Sequence, residues 1–295
     1  MQNVMLYNRS FFKLILWIRQ FSFGNWRTFL MDGEHSVNLC NYRNISATIN
    51  KLIVRLLWLN MSNKGISEEE LTKKRTPSEL HSWVNRKIEQ IGSTDEGLKV
   101  LRLHKGLAKQ LMEEVYPLAL FGWRKFGNTD QILVQPIIGN QSYDAVVIDL
   151  RTKPASQSYV EITQSHEGEN DYLKMFALHK YGYVFKHGTV SKTGTQKTGL
   201  NVSVQAEAVE VVKVAENELG RILDAVKRKV GKDYPANTSL IIIFDDTFHF
   251  QEVVDSAKLD NFVNTHILNL DLKFSTIYLI GWKNVFREFS IGKRT

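Results

Sequence analysis

An α/β domain with a central mixed sheet flanked by helices is what residues 61–295 predict, and three observations carry the prediction. Apolar residues recur at helical spacing in several long segments. Short runs rich in β-branched residues lie between them, bounded by Gly, Asn, Pro and Ser. From Gly97 the order is helix, three strands, helix, then strand elements around a long helix.

The first helix is expected in "SELHSWVNRKIEQIG", with Ser78 as its cap, Leu80, Val84 and Ile88 on its apolar face and Gly92 closing it. A longer helix is expected in "DEGLKVLRLHKGLAKQLMEEVYPLALFGW", where Leu107, Leu111 and Leu118 share a face. Glu114 falls on that face too, and a carboxylate on an apolar stripe asks for a partner. The runs "QILVQPII", "YDAVVIDL" and "SYVEITQS" read as a strand meander, and "NDYLKMFALHKYG" as a helix ending at Gly182. A strand or loop, "YVFKHGTVSKTGTQKTG", leads into a helix whose stripe runs from Ala208 through Val211, Val212, Leu219, Ile222 and Val226 to Val230. "LIIIFDDT" has the continuous apolar character of a strand buried on both faces. A further helix over "QEVVDSAKLDNFVNTHIL" and a last strand, "FSTIYLIGW", complete the order.

At 295 residues and 43% hydrophobic content the chain is not a disordered protein. The single cysteine, Cys40, excludes an internal disulfide and a multi-cysteine zinc site, and suits a reducing, cytoplasmic compartment. The formal charge of +7 is unevenly placed: residues 1–60 hold seven basic and two acidic groups, leaving 31 basic against 29 acidic in the remaining 235. The body is close to neutral, so bulk charge says little about its partners.

Residues 1–60 form a basic, aromatic extension with the apolar runs "FFKLILWI" and "LIVRLLWL". Both are too short to span a bilayer, which needs about 20 apolar residues. Three readings stand: two amphipathic helices, packed on the body or loosely ordered; a segment upstream of a biological start at Met61; or a membrane-surface anchor.

Chemistry concentrates in "SYDAVVIDLRTKPASQSYVEITQS", residues 142–165, where Asp144 and Glu161 stand on adjoining strands. Alternation sends Glu161 and Thr163 to one face, Ile162 and Gln164 to the other. Mg²⁺ or Mn²⁺ wants oxygen ligands and keeps several waters, so two carboxylates and a carbonyl suffice for a site. Such an ion polarises a phosphodiester and generates hydroxide at neutral pH. The alternative is a strand-edge acid and a satisfied polar residue.

The stretch resembles the PD-(D/E)xK nuclease superfamily, the restriction-endonuclease-like fold, over about residues 97–250. The resemblance implies a helix, three strands, helix and strand core, with metal held by Asp144, by Glu161 and by Glu114 as a helical acid. It further implies Mg²⁺-dependent phosphodiester hydrolysis, with DNA as the expected substrate. The family ends its motif on a lysine that positions the attacking water and offsets phosphate charge. Thr163 stands there instead. Lys174 on the following helix is the expected replacement, Gln164 a weaker one needing a bulge; the rival is a nuclease-like fold that binds or scaffolds without cutting. On the nuclease reading, Lys186, Lys192 and Lys197 become clamps for the nucleic-acid backbone.

Other chemistries find little support. "TVSKTGTQKTG" lacks the G-x-x-x-x-G-K-[ST] of a phosphate loop and reads as a solvated hairpin. Asp245 and Asp246 end a buried strand, where capping is the expected role and a different α/β enzyme the rival. No H-x-x-x-H, H-E-x-x-H or G-x-S-x-G pattern is present.

Overall fold

The continuous apolar runs of the central strands demand helices on both faces of a sheet, and that is the arrangement in the computed structural model. The structure describes residues 65–195, 197–247, 250 and 253–291. The chain falls into two units, Met1–Leu56 and Leu57–Thr295. All described residues belong to the second, and the readings made for residues 1–60 lie outside them.

Helices α1 (Glu68–Thr72), α2 (Pro77–Gly92) and α3 (Asp95–Arg102) precede α4 (Leu107–Gln110), a π-helical turn (Leu111–Val115) and α5 (Tyr116–Phe126). Strands β1 (Ile132–Pro136), β2 (Ala145–Asp149) and β3 (Ser156–Gln164) follow, then α6 (Glu169–Tyr181), the hairpin β4 (Gly188–Thr193) and β5 (Asn201–Ala206), and α7 (Val211–Lys227). Strand β6 (Thr238–Phe244), α8 (Val253–Phe262) with a second π-helical turn (Val263–Ile267), β7 (Thr276–Gly281) and β8 (Phe286–Ser290) end the described order.

Six strands form one sheet in the order β1-β2-β3-β6-β7-β8, parallel across β3-β6-β7 and antiparallel at both margins. Val160, Ile162, Ile241 and Ile243 pack on one face with Leu80, Val84, Leu118 and Phe121 of α2 and α5. Leu240, Ile242, Phe244 and Leu279 pack on the other with Ile222 and Val226 of α7 and Leu259 of α8. Hairpin β4-β5 is a separate two-stranded sheet resting on α6 through Leu173, Ala177 and Val202.

The structure differs from the sequence expectations in several places. The single helix expected over Asp95–Trp123 is broken: His104 (φ 47°) and Gly106 (φ 56°) take left-handed backbone and start a new helix. The first long helix is capped by Thr76 rather than Ser78, through a capping box with Glu79, and Pro77 fits its first turn. The stripe of α7 is buried only in its later turns, since Val211 and Val212 stay exposed. Among the described residues no helix is long and apolar enough to cross a membrane.

Candidate functional site

Strand β3 runs past the end of β2, and the site forms at that step. Ala145 pairs with Val160, so the register carried one residue further sets Asp144 opposite Glu161. Beyond this point β2 offers no ladder partner, and side chains finish the edge. The Asp144 carboxylate accepts the Ile162 N–H at 2.7 Å, and Arg228 donates to the Gln164 carbonyl at 3.1 Å. Glu161 stands in register with Leu240, on the α7 face, and is 8% exposed. Lys229, just past the end of α7, donates to its Oε1 at 2.5 Å.

Glu114 enters from the π-helical turn, whose neighbouring Glu113 carbonyl accepts from the Gln164 side chain at 3.2 Å. π turns inside helices recur at functional positions. Burial, then Asp144, Glu113 and Glu161, push the Glu114 carboxyl up to about 7. Burial and Glu161 push Asp144 up to about 6, against the Ile162 N–H and Lys229. The three acids therefore share one electrostatic neighbourhood. The Tyr234 hydroxyl is buried in the same neighbourhood with no hydrogen-bond partner among the described residues, and burial with Glu161 and Asp144 raises its pKa.

Among the described residues no group of three or more His, Cys, Asp or Glu side chains is arranged to hold a metal ion. The cross-strand pair Asp144 and Glu161 still fits a hard cation in kind: both offer carboxylate oxygen, and Mg²⁺ needs only one or two protein carboxylates beside its waters.

Lys174, the lysine that the sequence reading set beside Thr163, is not brought to Glu161. Lys174 pairs with Glu167 at 3.2 Å, in a cleft of ≈ 780 Å³ beyond the carboxyl ends of β3 and β6. Lys229 stands at Glu161 instead, and the sequence analysis missed it. It lies 68 residues from its partner, and only the packing of α7 against β3 brings the two together.

The cleft is organised around Glu218 of α7, which is 1% exposed. Glu218 accepts from the Ser165 hydroxyl, the Asp245 N–H at 3.1 Å and Arg221, which also pairs with Glu167. Lys186 pairs with Asp245 at 2.5 Å. Burial, with Lys186, Lys174 and Arg221 close by, holds the His187 imidazole below its ordinary range. Lys192 pairs with Glu169, and Lys197 lies exposed in the β4-β5 turn.

Asp246 has the structural role that capping anticipated, turned toward another element. Fully buried, it accepts the backbone N–H groups of Lys283, Asn284 and Val285 at 2.7, 2.9 and 2.9 Å, fixing the β7-β8 turn. Arg124 holds the same turn through the carbonyls of Gly281, Lys283 and Val285. A Cβ on Gly281 would come within 2.2 Å of the Asp246 carboxylate, which is why that position is glycine.

Comparison with known proteins returns no matching family model, no similar curated protein and no similar solved structure.

Proposed function

We propose that the chain is a divalent-cation-dependent phosphodiesterase acting on nucleic acid, with DNA the expected polymer, on a restriction-endonuclease-like core. The observation that carries the reading is the cross-strand pair Asp144 and Glu161 with the Lys229 ammonium 2.5 Å from Glu161. Support also comes from the element order, in which α5, β1-β2-β3, α6 and β6 occur in the succession that the family resemblance implies, with the hairpin β4-β5 and α7 intervening before β6.

Asp144 and Glu161 would hold Mg²⁺ or Mn²⁺, and the bound ion would supply charge to the phosphate and a hydroxide at neutral pH. Asp144 is oriented by the Ile162 N–H. Lys229 brings the positive charge that Thr163 lacks and offsets negative charge gathering on the phosphate. Glu114, held near 7, can accept or release a proton at the pH where such a reaction runs.

The test uses the purified chain with Mg²⁺ or Mn²⁺ on single- and double-stranded DNA and on RNA. Wild type should cut; Glu161→Gln and Asp144→Asn should abolish cutting, and Lys229→Met should slow it by about 10²-fold or more. No cation-dependent cutting by wild type, or undiminished cutting by Glu161→Gln, overturns the proposal.

Thr163 at the motif position, together with a Lys229 already bonded to Glu161, favours a second reading: the same fold as a binding protein without turnover. Thermal stabilisation by Mn²⁺ that Asp144→Asn removes, without cutting, would select it.

A further inference from the structure

Residues 172–206 contain five lysines, Lys174, Lys180, Lys186, Lys192 and Lys197, and no Asp or Glu. In a body that is otherwise close to neutral this is a local concentration of positive charge. Its middle, "HKYGYVFKH", interleaves lysine with aromatic residues, and three of those rings are turned to solvent: Tyr181 is 43% exposed, Tyr183 65% and Phe185 45%. Large apolar side chains gathered at the surface are uncommon without a use.

The local backbone explains the display. Gly182 (φ 80°) ends α6, and the chain enters no strand before Gly188. Val184 packs on the Leu173, Ala177 and Val202 cluster, while its chain neighbours Tyr183 and Phe185 stay exposed. Their ring centroids are 6.1 Å apart. Tyr181 is fixed by its hydroxyl, which donates to Asn201 at 3.0 Å, and the Lys180 ammonium lies 5.1 Å over its ring. Lys180 pairs with no carboxylate among the described residues. The exposed Lys192 and Glu169 pair is of the kind that contributes little to stability and exchanges readily for a phosphate.

We propose that Tyr181, Tyr183 and Phe185 form a stacking platform for single-stranded nucleic acid, with Lys180, Lys186 and Lys192 contacting its phosphates. Tyr183 and Phe185 meet edge to face, with 77° between their planes, so the pair offers its exposed ring face to a base while Tyr181 lies two residues before it, and cations beside the rings track the backbone. A duplex keeps its base faces covered, so the platform selects unpaired strands. The absence of acids from the stretch favours a polyanion over a protein partner. Val184, Lys186 and His187 also line the cleft that reaches Gln164 and Glu113, the chain neighbours of the carboxylate site. The inference therefore assigns the strand type for the nuclease reading, and rests on that reading for the class of polymer.

The test measures binding in EDTA, where cutting cannot occur, by fluorescence anisotropy with labelled oligothymidylate and oligouridylate of roughly 20 nucleotides and a duplex of equal length. Wild type should bind at least one single strand about tenfold more tightly than duplex. Tyr183→Ala with Phe185→Ala should weaken that binding by at least about tenfold at an unchanged melting temperature, and Trp at both positions should retain it. Equal affinity for duplex, no single-strand binding, or wild-type affinity in the double alanine variant overturns the inference. Single-strand binding without any metal-dependent cutting would sink the nuclease proposal and leave the platform standing; cutting without single-strand binding would do the reverse.

Discussion

Asp246 and Asp144 both stand at strand ends, the first fully buried and the second half-buried, and the molecule treats them in opposite ways. Asp246 receives three backbone N–H groups and closes a turn that Arg124 pins from the carbonyl side. Asp144 receives one backbone N–H and faces Glu161, with Glu114 within electrostatic reach. A carboxylate saturated by backbone donors has no capacity left for a ligand. One set among other acids, with a single lysine near, raises the free energy of the fold, and such arrangements concentrate where binding or catalysis needs them. The comparison separates an acid occupied by backbone donors from one whose oxygens are left largely free of them.

The largest effect should come from breaking the structural side. Asp246→Ala strips three backbone N–H groups, that of Val285 buried, of their acceptor and should cost about 2–4 kcal/mol in urea unfolding, with no change in metal response if the fold survives. A loss under about 1 kcal/mol would mean that the turn holds without the carboxylate.

Next is the cation bonded to Glu161. Lys229→Met leaves a buried carboxylate without its partner and should destabilise by about 2–4 kcal/mol, most of it recovered when Glu161→Gln is added. Additive losses in the double variant would show the pair to be uncoupled.

The smallest effect sharpens the functional side. Glu114 and Asp144 are raised to about 7 and about 6 in the folded chain, above the 4.5 and 3.8 of ordinary carboxyls. The unfolded chain therefore releases these protons first as pH rises. The contribution of the two acids to stability in EDTA should be greatest near pH 4 and fall between about pH 4 and pH 7, by on the order of 1–2 kcal/mol after allowance for solvent screening, while His81 and His187, held below their ordinary range by burial, act in the opposite sense. Glu114→Gln should remove the upper part of that decline. Thermal unfolding at pH 5 and pH 8 checks both, and an equal change in melting temperature for wild type and Glu114→Gln contradicts the assignment.

Much of the fold was legible because burial leaves periodic traces. The apolar runs of β1, β2, β3, β6 and β7 mark strands of a sheet with a helix on each face. Strand β8 was missed because "FREFS" is an edge strand, mostly half-exposed, with no apolar alternation to betray it. The break at His104 and Gly106 was missed because the apolar spacing continues across it. At the candidate site, Asp144 and Glu161 could be paired from sequence, since a short link joins their strands and register follows. Lys229 could not, because its position depends on how α7 crosses β3, a tertiary relation that local pattern does not encode. Lys174 has a plausible spacing but finds Glu167 first.

The hydrogen bond from Ile162 to Asp144 couples the charge on a side chain to a backbone amide proton. Anything that claims the Asp144 oxygens, whether proton or cation, weakens that acceptor and should shift the resonance of this amide and hasten its exchange with deuterium. The molecule thus carries its own occupancy gauge at the end of β3, readable by nuclear magnetic resonance before any substrate is known.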